Sequence, residues 1–353
     1  MSKTYLVTGG AGFIGANFIH HMLRKYPHIH IINLDKLTYA GNLENLQDVE
    51  HDARYRFIQG DILDSILLDS IFAQYNPEYI INFAAESHVD RSIEAPDVFV
   101  QTNIMGTVSL LNMARKAWIL GDDTYRTGVK YLQVSTDEVY GSLGAEGFFT
   151  EETPLDPHSP YAASKASADL LVQAYADTYQ LPVNITRCSN NYGPYQFPEK
   201  LIPLMIHNAL QHKELPIYGD GMQVRDWLYV EDHARALDMV LHQGSQGEVY
   251  NIGGHNERFN IDIVRAILGY LHEHIDKNIG EHLMRHVTDR KGHDRRYAID
   301  PAKITRELGW YPETSFDQGI QITMTWYLRN LAWLERVTSG EYQDYYGRMY
   351  QGR

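Results

Sequence analysis

Cysteine is nearly absent from the 353-residue chain: Cys188 stands alone, so no disulfide can form within it, and a reducing compartment is the expectation. No apolar run approaches the ~20 residues that a membrane-spanning helix needs. The opening "MSKTYLVTGG" reaches glycines before the apolar core of a leader could develop, so a soluble, cytoplasmic chain is expected. Basic residues are in the minority, with 31 Lys and Arg against 45 Asp and Glu, a formal charge of −14. That balance argues against nucleic acid or an anionic membrane as partner, because phosphate surfaces are bound by clustered cations. Internal repeats and low-complexity tracts are also missing. His272 and His274 lie two apart on a predicted helix, hence on different faces, and no metal site is expected.

What the sequence does contain is alternation. Apolar, β-rich segments ("KTYLVTG", "HIHIINLD", "YRFIQGD", "EYIINFAAE", "VKYLQVS") alternate with amphipathic ones ("ANFIHHMLRKYP", "SILLDSIFAQY", "DVFVQTNIMGTVSLLNMARKAW"). A helix over 160–179, a strand in "VNITRCS" and a later strand in "EVYNIGG" continue the series. Nearly continuous apolar strands separated by helices predict an α/β protein: a doubly wound parallel Rossmann sheet with a smaller, loop-rich substrate-binding unit. The expected division gives 1–190 and 225–253 to the first and 191–224 and 254–353 to the second. Segments 121–128 and 141–159 read as surface excursions, the second placed to act as a lid.

Three patterns carry chemistry. "VTGGAGFIGANF" follows the first strand and opens the first helix, with Gly9, Gly10, Gly12 and Gly15 at dinucleotide-turn spacing. Such a turn brings backbone N–H groups and a helix N-terminus to a pyrophosphate. Asp35 ends the second strand ~20 residues on, where an acid accepts a ribose 2′-hydroxyl and repels a 2′-phosphate, favouring NAD over NADP. Next, Ser159 and Pro160 start a helix that places Tyr161 and Lys165 at i and i+4 on one face. A phenol titrates near 10, and lowering it to about 7 requires ~4 kcal/mol, which a lysine and an oxidised nicotinamide can supply together. Finally, "VSTDEVYGS" sets Asp137 and Glu138 side by side after Thr136 at a strand end. Within the loop-rich regions, Lys200, Arg225 and Arg290 suit a diphosphate and Tyr218 a flat base.

Together the glycine turn, Thr136 and Tyr161-x-x-x-Lys165 resemble the extended short-chain dehydrogenase/reductase superfamily. "AAESHVDRSI", "STDEVYG", "CSNNYGPYQFPEKLIP", "PIYGDG", "VRDWLYVEDH", "NIGGHNE" and "GHDRRYAID" narrow the likeness, over essentially the whole chain, to its nucleotide-sugar 4,6-dehydratases. The resemblance implies NAD held by Gly9, Gly12, Phe13, Ile14, Gly15, Asp35, Lys36, Thr38, Asp61, Ile62, Ala84, Ala85, Ser87, Thr102, Tyr161, Lys165 and Asn191. It implies dTDP-glucose as substrate, contacted by Ser87, His88, Thr136, Asn190, Glu199, Lys200, Leu201, Pro216, Tyr218, Arg225, Asn260, Arg290 and His293.

The acid pair acquires a use in that chemistry. Once the sugar's 4-hydroxyl is a ketone, the C5 hydrogen is acidic and the C6 hydroxyl lies β to the carbonyl, so loss of water needs one carboxylate and one carboxylic acid. Spacing does not say which is which. By resemblance Glu138 is the base at C5, Asp137 the acid at C6, Tyr161 the base at the 4-hydroxyl, Thr136 a partner of O4, and Lys165 the group that holds the cofactor ribose and tunes Tyr161. The superfamily also implies a homodimer through helices matching 98–120 and 160–179. The alternatives are a 4,6-dehydratase for another nucleotide hexose, a nucleotide-sugar 4-epimerase, a decarboxylase, or a noncatalytic dinucleotide sensor.

Overall fold

A computed structural model describes residues 2–289, 292–339 and 347. Seven parallel strands form the main sheet, in the order Val249–Ile252, Val183–Cys188, Lys130–Thr136, Tyr79–Asn82, Lys3–Thr8, Ile29–Asp35, Tyr55–Gln59. The chain winds outward from the first strand in one direction, then returns to its other side with the fourth. The crevice for a ligand therefore opens between Lys3–Thr8 and Tyr79–Asn82, beyond their carboxyl ends. Both faces are covered. One cluster, built on Phe18, Ile19, Met22, Leu237, Leu241 and Tyr250, packs helices Phe13–Lys25 and Val230–Gln243 against the sheet. The opposite cluster brings in Leu68, Ile71, Leu110, Leu111, Trp118 and Val172.

The second unit has its own core around Tyr192, Ile206, Ile217, Trp227, Ile267, Phe316 and Tyr327. Its strand Val224–Tyr229 pairs in parallel with Asn190–Tyr192 and antiparallel with Glu257–Phe259. One segment departs from the expected division at 254: Ile304, Leu308 and Trp310 pack with the sheet's cluster, and the Trp310 indole donates to Asp232 O at 3.1 Å. Residues 121–128 contribute to a tight hairpin, with Asp122 and Asp123 at positive φ. Segment 141–159 is stitched down rather than hinged: Phe149 N donates to Ala298 O at 2.9 Å, and its ring stacks on Tyr140 5.0 Å away.

Beneath the sheet's amino-terminal edge, Asp238 is buried against His21, Lys25, Tyr26 and His242, at 3.0, 2.6, 2.9 and 2.8 Å. Burial pushes the Asp238 carboxyl up, but those donors outweigh it and hold its pKa far below the ordinary value. Burial likewise pulls the His21 imidazole down, while Asp238 and Glu231 more than reverse this and leave it raised. The His21 contribution to stability is thus complete below its unfolded pKa and is lost as pH rises through the raised one. The Asp238 contribution is complete above the ordinary Asp pKa and is lost only as pH falls through its depressed one. Asp238→Asn is expected to lower the unfolding free energy by about 3 kcal/mol in urea titrations. The gap to wild type should narrow as pH rises through the His21 transition.

Candidate active site

The site is assembled at the carboxyl ends of the strands. Gly9 sits at φ 70, and a Cβ there would stand 2.6 Å from Ala84 N, so only glycine lets the first and fourth strand ends approach this closely. Gly12 caps the following helix with no side chain, leaving the first-turn N–H groups directed at the cleft. Asp35 Oδ2 accepts from Ala11 N at 2.9 Å and Oδ1 from Leu37 N at 2.8 Å, which fixes the carboxyl beside the turn. Lys36 is ion-paired to Asp61 at 2.8 Å.

All seventeen residues assigned to the cofactor line one cleft of about 380 Å³. Thr136, Asp137 and Glu138 line it as well. A second chamber of about 150 Å³ adjoins it, and Glu138, Asn190, Asn191, Gln196, Glu199 and Lys200 belong to the walls of both. His88, Leu201, Pro216, Tyr218, Arg225, Asn260 and His293 line this second chamber, while Ser87 and Thr136 face the first. Arg290 lies outside the described residues.

The helix Pro160–Tyr179 begins as its first residues predict: the Ser159 hydroxyl accepts from Ala162 N at 3.1 Å, with Pro160 in the first turn. Tyr161 and Lys165 are both buried, 8% and 5% exposed. Lys165 Nζ donates to Val134 O at 2.7 Å, tying helix to strand, and burial lowers its pKa. Burial first, and then the Glu138 charge, raise the Tyr161 phenol well above its usual range. By itself the protein therefore keeps this phenol neutral, and additional positive charge is needed to ionise it.

Thr136 ends its strand and accepts from Glu138 N at 3.3 Å, starting a short 3-10 turn, Asp137–Tyr140. The turn rests on a buried pair in which Arg187 bonds Asp169 at 2.9 Å and the Tyr140 hydroxyl at 2.9 Å. It separates the two acids. Asp137 is 1% exposed, with Oδ2 unpartnered among the described residues, whereas Glu138 is half-buried and reaches both chambers. Burial and then the neighbouring Glu138 charge push the Asp137 carboxyl well above the ordinary carboxylate range. One acid is thereby biased toward its neutral form beside a more accessible one, the division of labour that an elimination requires.

The second chamber is built for a polar guest. Among the described residues, Asn190 Oδ1, Asn260 Oδ1 and Trp227 Nε1 are buried without partners, and all three side chains line it. Arg225 brings a buried positive charge, anchored to Asp294 O at 2.9 Å and stacked 4.3 Å over the Tyr297 ring. Tyr218 and His293 stand edge to face, 6.2 Å apart.

A family model described as GDP-mannose 4,6 dehydratase matches residues 6–323. A dTDP-glucose 4,6-dehydratase of Salmonella typhimurium is 53% identical over 359 residues, covering 99% of each chain. The chain belongs to the dTDP-glucose 4,6-dehydratase family. Among solved structures, a dTDP-glucose 4,6-dehydratase of Bacillus anthracis in complex with NAD superposes with a TM-score of 0.85 at 50% identity, covering 95% of this chain and 100% of that one. Another, from Streptomyces venezuelae with NAD and dTDP bound, gives 0.87 at 48%, covering 95% and 99%.

Sequence reasoning about this dehydratase-family chain missed several residues. Asn103, buried on a π-helical turn, bonds Glu86 N and O at 2.9 and 3.0 Å and Ser164 Oγ at 2.8 Å, locking the fourth strand's end to the Tyr161 helix. Tyr297 lines the second chamber and donates to Asp294 at 2.5 Å; it stood inside the quoted "GHDRRYAID" without being singled out. Gln196 lines both chambers with a buried Oε1 that has no partner among the described residues. An amide between two glycine- and proline-rich turns was the only signal for it.

Proposed function

We propose that the chain binds NAD in the larger cleft and dTDP-glucose across both chambers, and converts the sugar nucleotide to dTDP-4-keto-6-deoxy-D-glucose and water. Bound NAD supplies a hydride acceptor for C4 and later the hydride donor for C6. Tyr161 takes the proton of the 4-hydroxyl while Thr136 holds O4, and Lys165 favours the phenolate and holds the cofactor ribose. Glu138 removes the C5 proton, and a proton returns to C5 when hydride reaches C6. Asp137, held neutral, protonates the C6 hydroxyl as it leaves. In the second chamber Arg225 and Lys200 balance the diphosphate, and Tyr218 faces the base.

The observation that carries this reading is the unequal acid pair: a buried Asp137 with an unpartnered Oδ2 among the described residues, beside a reachable Glu138 that lines both chambers. A 4-epimerase has no elimination to perform and gives such a pair no work. Incubating the protein with dTDP-, UDP-, GDP- and CDP-glucose tests the reading. A keto-deoxy product from the thymidine nucleotide, formed without stoichiometric release of NADH, is expected. A C4 epimer, or no product from any of the four, would overturn it.

We also propose a cytoplasmic homodimer. Val98, Val100, Met105 and Leu170 are exposed apolar side chains on the helical segments around 98–120 and 160–179, and light scattering at twice the chain mass is expected. No described helix is long and apolar enough to cross a membrane.

A further inference from the structure

The retained cofactor has to be kept in, and one cluster outside the catalytic set joins the walls that surround it. Tyr39 lies in the loop after Ile29–Asp35, whose Lys36 and Thr38 line the cofactor cleft. Its hydroxyl donates to Glu199 Oε1 at 3.2 Å. Arg91, on the helix after the fourth strand, stacks its guanidinium 3.7 Å over the Tyr39 ring and bonds Glu199 Oε2 through Nε at 3.3 Å. Phe197, two residues before Glu199 and also in the cleft wall, meets the same ring edge-on at 5.8 Å. Three segments that are remote in sequence are thus held together by one carboxylate whose side chain is 2% exposed.

Resting on the reading of this cleft as the NAD site, we infer that Tyr39, Arg91 and Glu199 form a latch that closes the 36–42 loop and the 194–200 loop over the bound dinucleotide and sets how slowly it leaves. The physical reason lies in the burial. A carboxylate this enclosed needs its guanidinium and hydroxyl donors, and those donors are carried by the wall that would have to swing away for the cofactor to depart. Opening the cleft breaks all three contacts at once. Neither Tyr39 nor Arg91 is among the residues that line the two chambers, so the latch governs residence of the cofactor and leaves the bond-making steps to the residues already named.

The test uses the NAD-loaded protein without substrate, with release of the dinucleotide followed after dilution into a trap of excess labelled NAD. Tyr39→Phe removes one hydrogen bond to a charged group and leaves the stacking, and should speed release by about tenfold. Arg91→Met takes the guanidinium from the buried Glu199 carboxylate and the stacking from Tyr39, and should speed it by about 100-fold. Both variants, saturated with NAD, should hold their first-turnover rate on dTDP-glucose but lose NADH during later turnovers, an inactivation that added NAD prevents. Circular dichroism of the saturated variants verifies that they are folded. If folded Tyr39→Phe and Arg91→Met both release NAD at the wild-type rate, the latch is wrong. Wild-type protein that does not retain NAD at all would overturn the functional reading instead.

Discussion

Glu138→Gln protein loaded with NAD and mixed with dTDP-glucose is expected to accumulate reduced nicotinamide absorbance and stop there. Tyr161 still oxidises C4, but no carboxylate is left to take the C5 proton, so water is not lost and the hydride has no acceptor at C6. Overall turnover should fall by about 10²–10⁴-fold, the usual worth of a general base. Asp137→Asn should behave alike, because an amide cannot protonate the departing C6 oxygen. Its effect on stability should run the other way. Burial and the Glu138 charge raise the Asp137 carboxyl in the folded chain, so at pH values between its unfolded and its raised pKa folding takes up a proton that the unfolded carboxylate lacks. An amide removes that requirement, and Asp137→Asn should melt at a higher temperature than wild type above the ordinary Asp pKa, the difference vanishing in acid below it. The wild-type rate should also fall as pH rises through the elevated Asp137 pKa, a limb that the variant lacks. Wild-type dehydration rates in both variants would remove the roles assigned to the pair.

Tyr161→Phe is expected to fail earlier, with no reduced nicotinamide at all and turnover again lower by about 10²–10⁴-fold. The contrast with Glu138→Gln separates oxidation from elimination within one site. The structure adds a condition on the phenol. Buried and close to the Glu138 charge, it is held neutral by the protein, so its ionisation depends on Lys165 and on the charge of oxidised NAD. Ultraviolet difference titration should therefore show one phenolate forming at markedly lower pH in NAD-loaded protein than in stripped protein, and Tyr161→Phe should lack that step. Lys165→Met should move the same transition back up. A phenolate signal unaffected by NAD would place the activating charge elsewhere.

The features visible in sequence were those whose physics is local. Strand and helix periods, the Gly9-to-Gly15 turn, the Ser159–Pro160 start and the i to i+4 spacing of Tyr161 and Lys165 depend on neighbours within a few residues. Each is found where its pattern put it. The acid pair was visible as a pair, but its asymmetry was not: the 3-10 turn buries Asp137 and leaves Glu138 reachable, and the Arg187–Asp169 pair that supports the turn comes from later in the chain. Contacts across long loops were equally hidden. Trp310 packs under the first unit because the Asp232 carbonyl accepts its N–H, and Phe149 is pinned by the 296–300 segment, neither of which leaves a local pattern. The π turn at Val100–Met105 read as ordinary helix, although it aims Asn103 at both Glu86 and Ser164. Tyr297 reaches the second chamber from a loop more than a hundred residues beyond the acid pair.

The central claim is that one hydride leaves C4, waits while water is expelled, and returns within the same molecule to C6. Turnover of a mixture of dTDP-glucose deuterated at C4 and unlabelled substrate carrying a distinguishable mass tag tests it most directly. The account predicts deuterium at C6 of the product derived from the labelled sugar, and none in the product derived from its tagged companion. Deuterium found in released NADH, or shared between the two products, would contradict it.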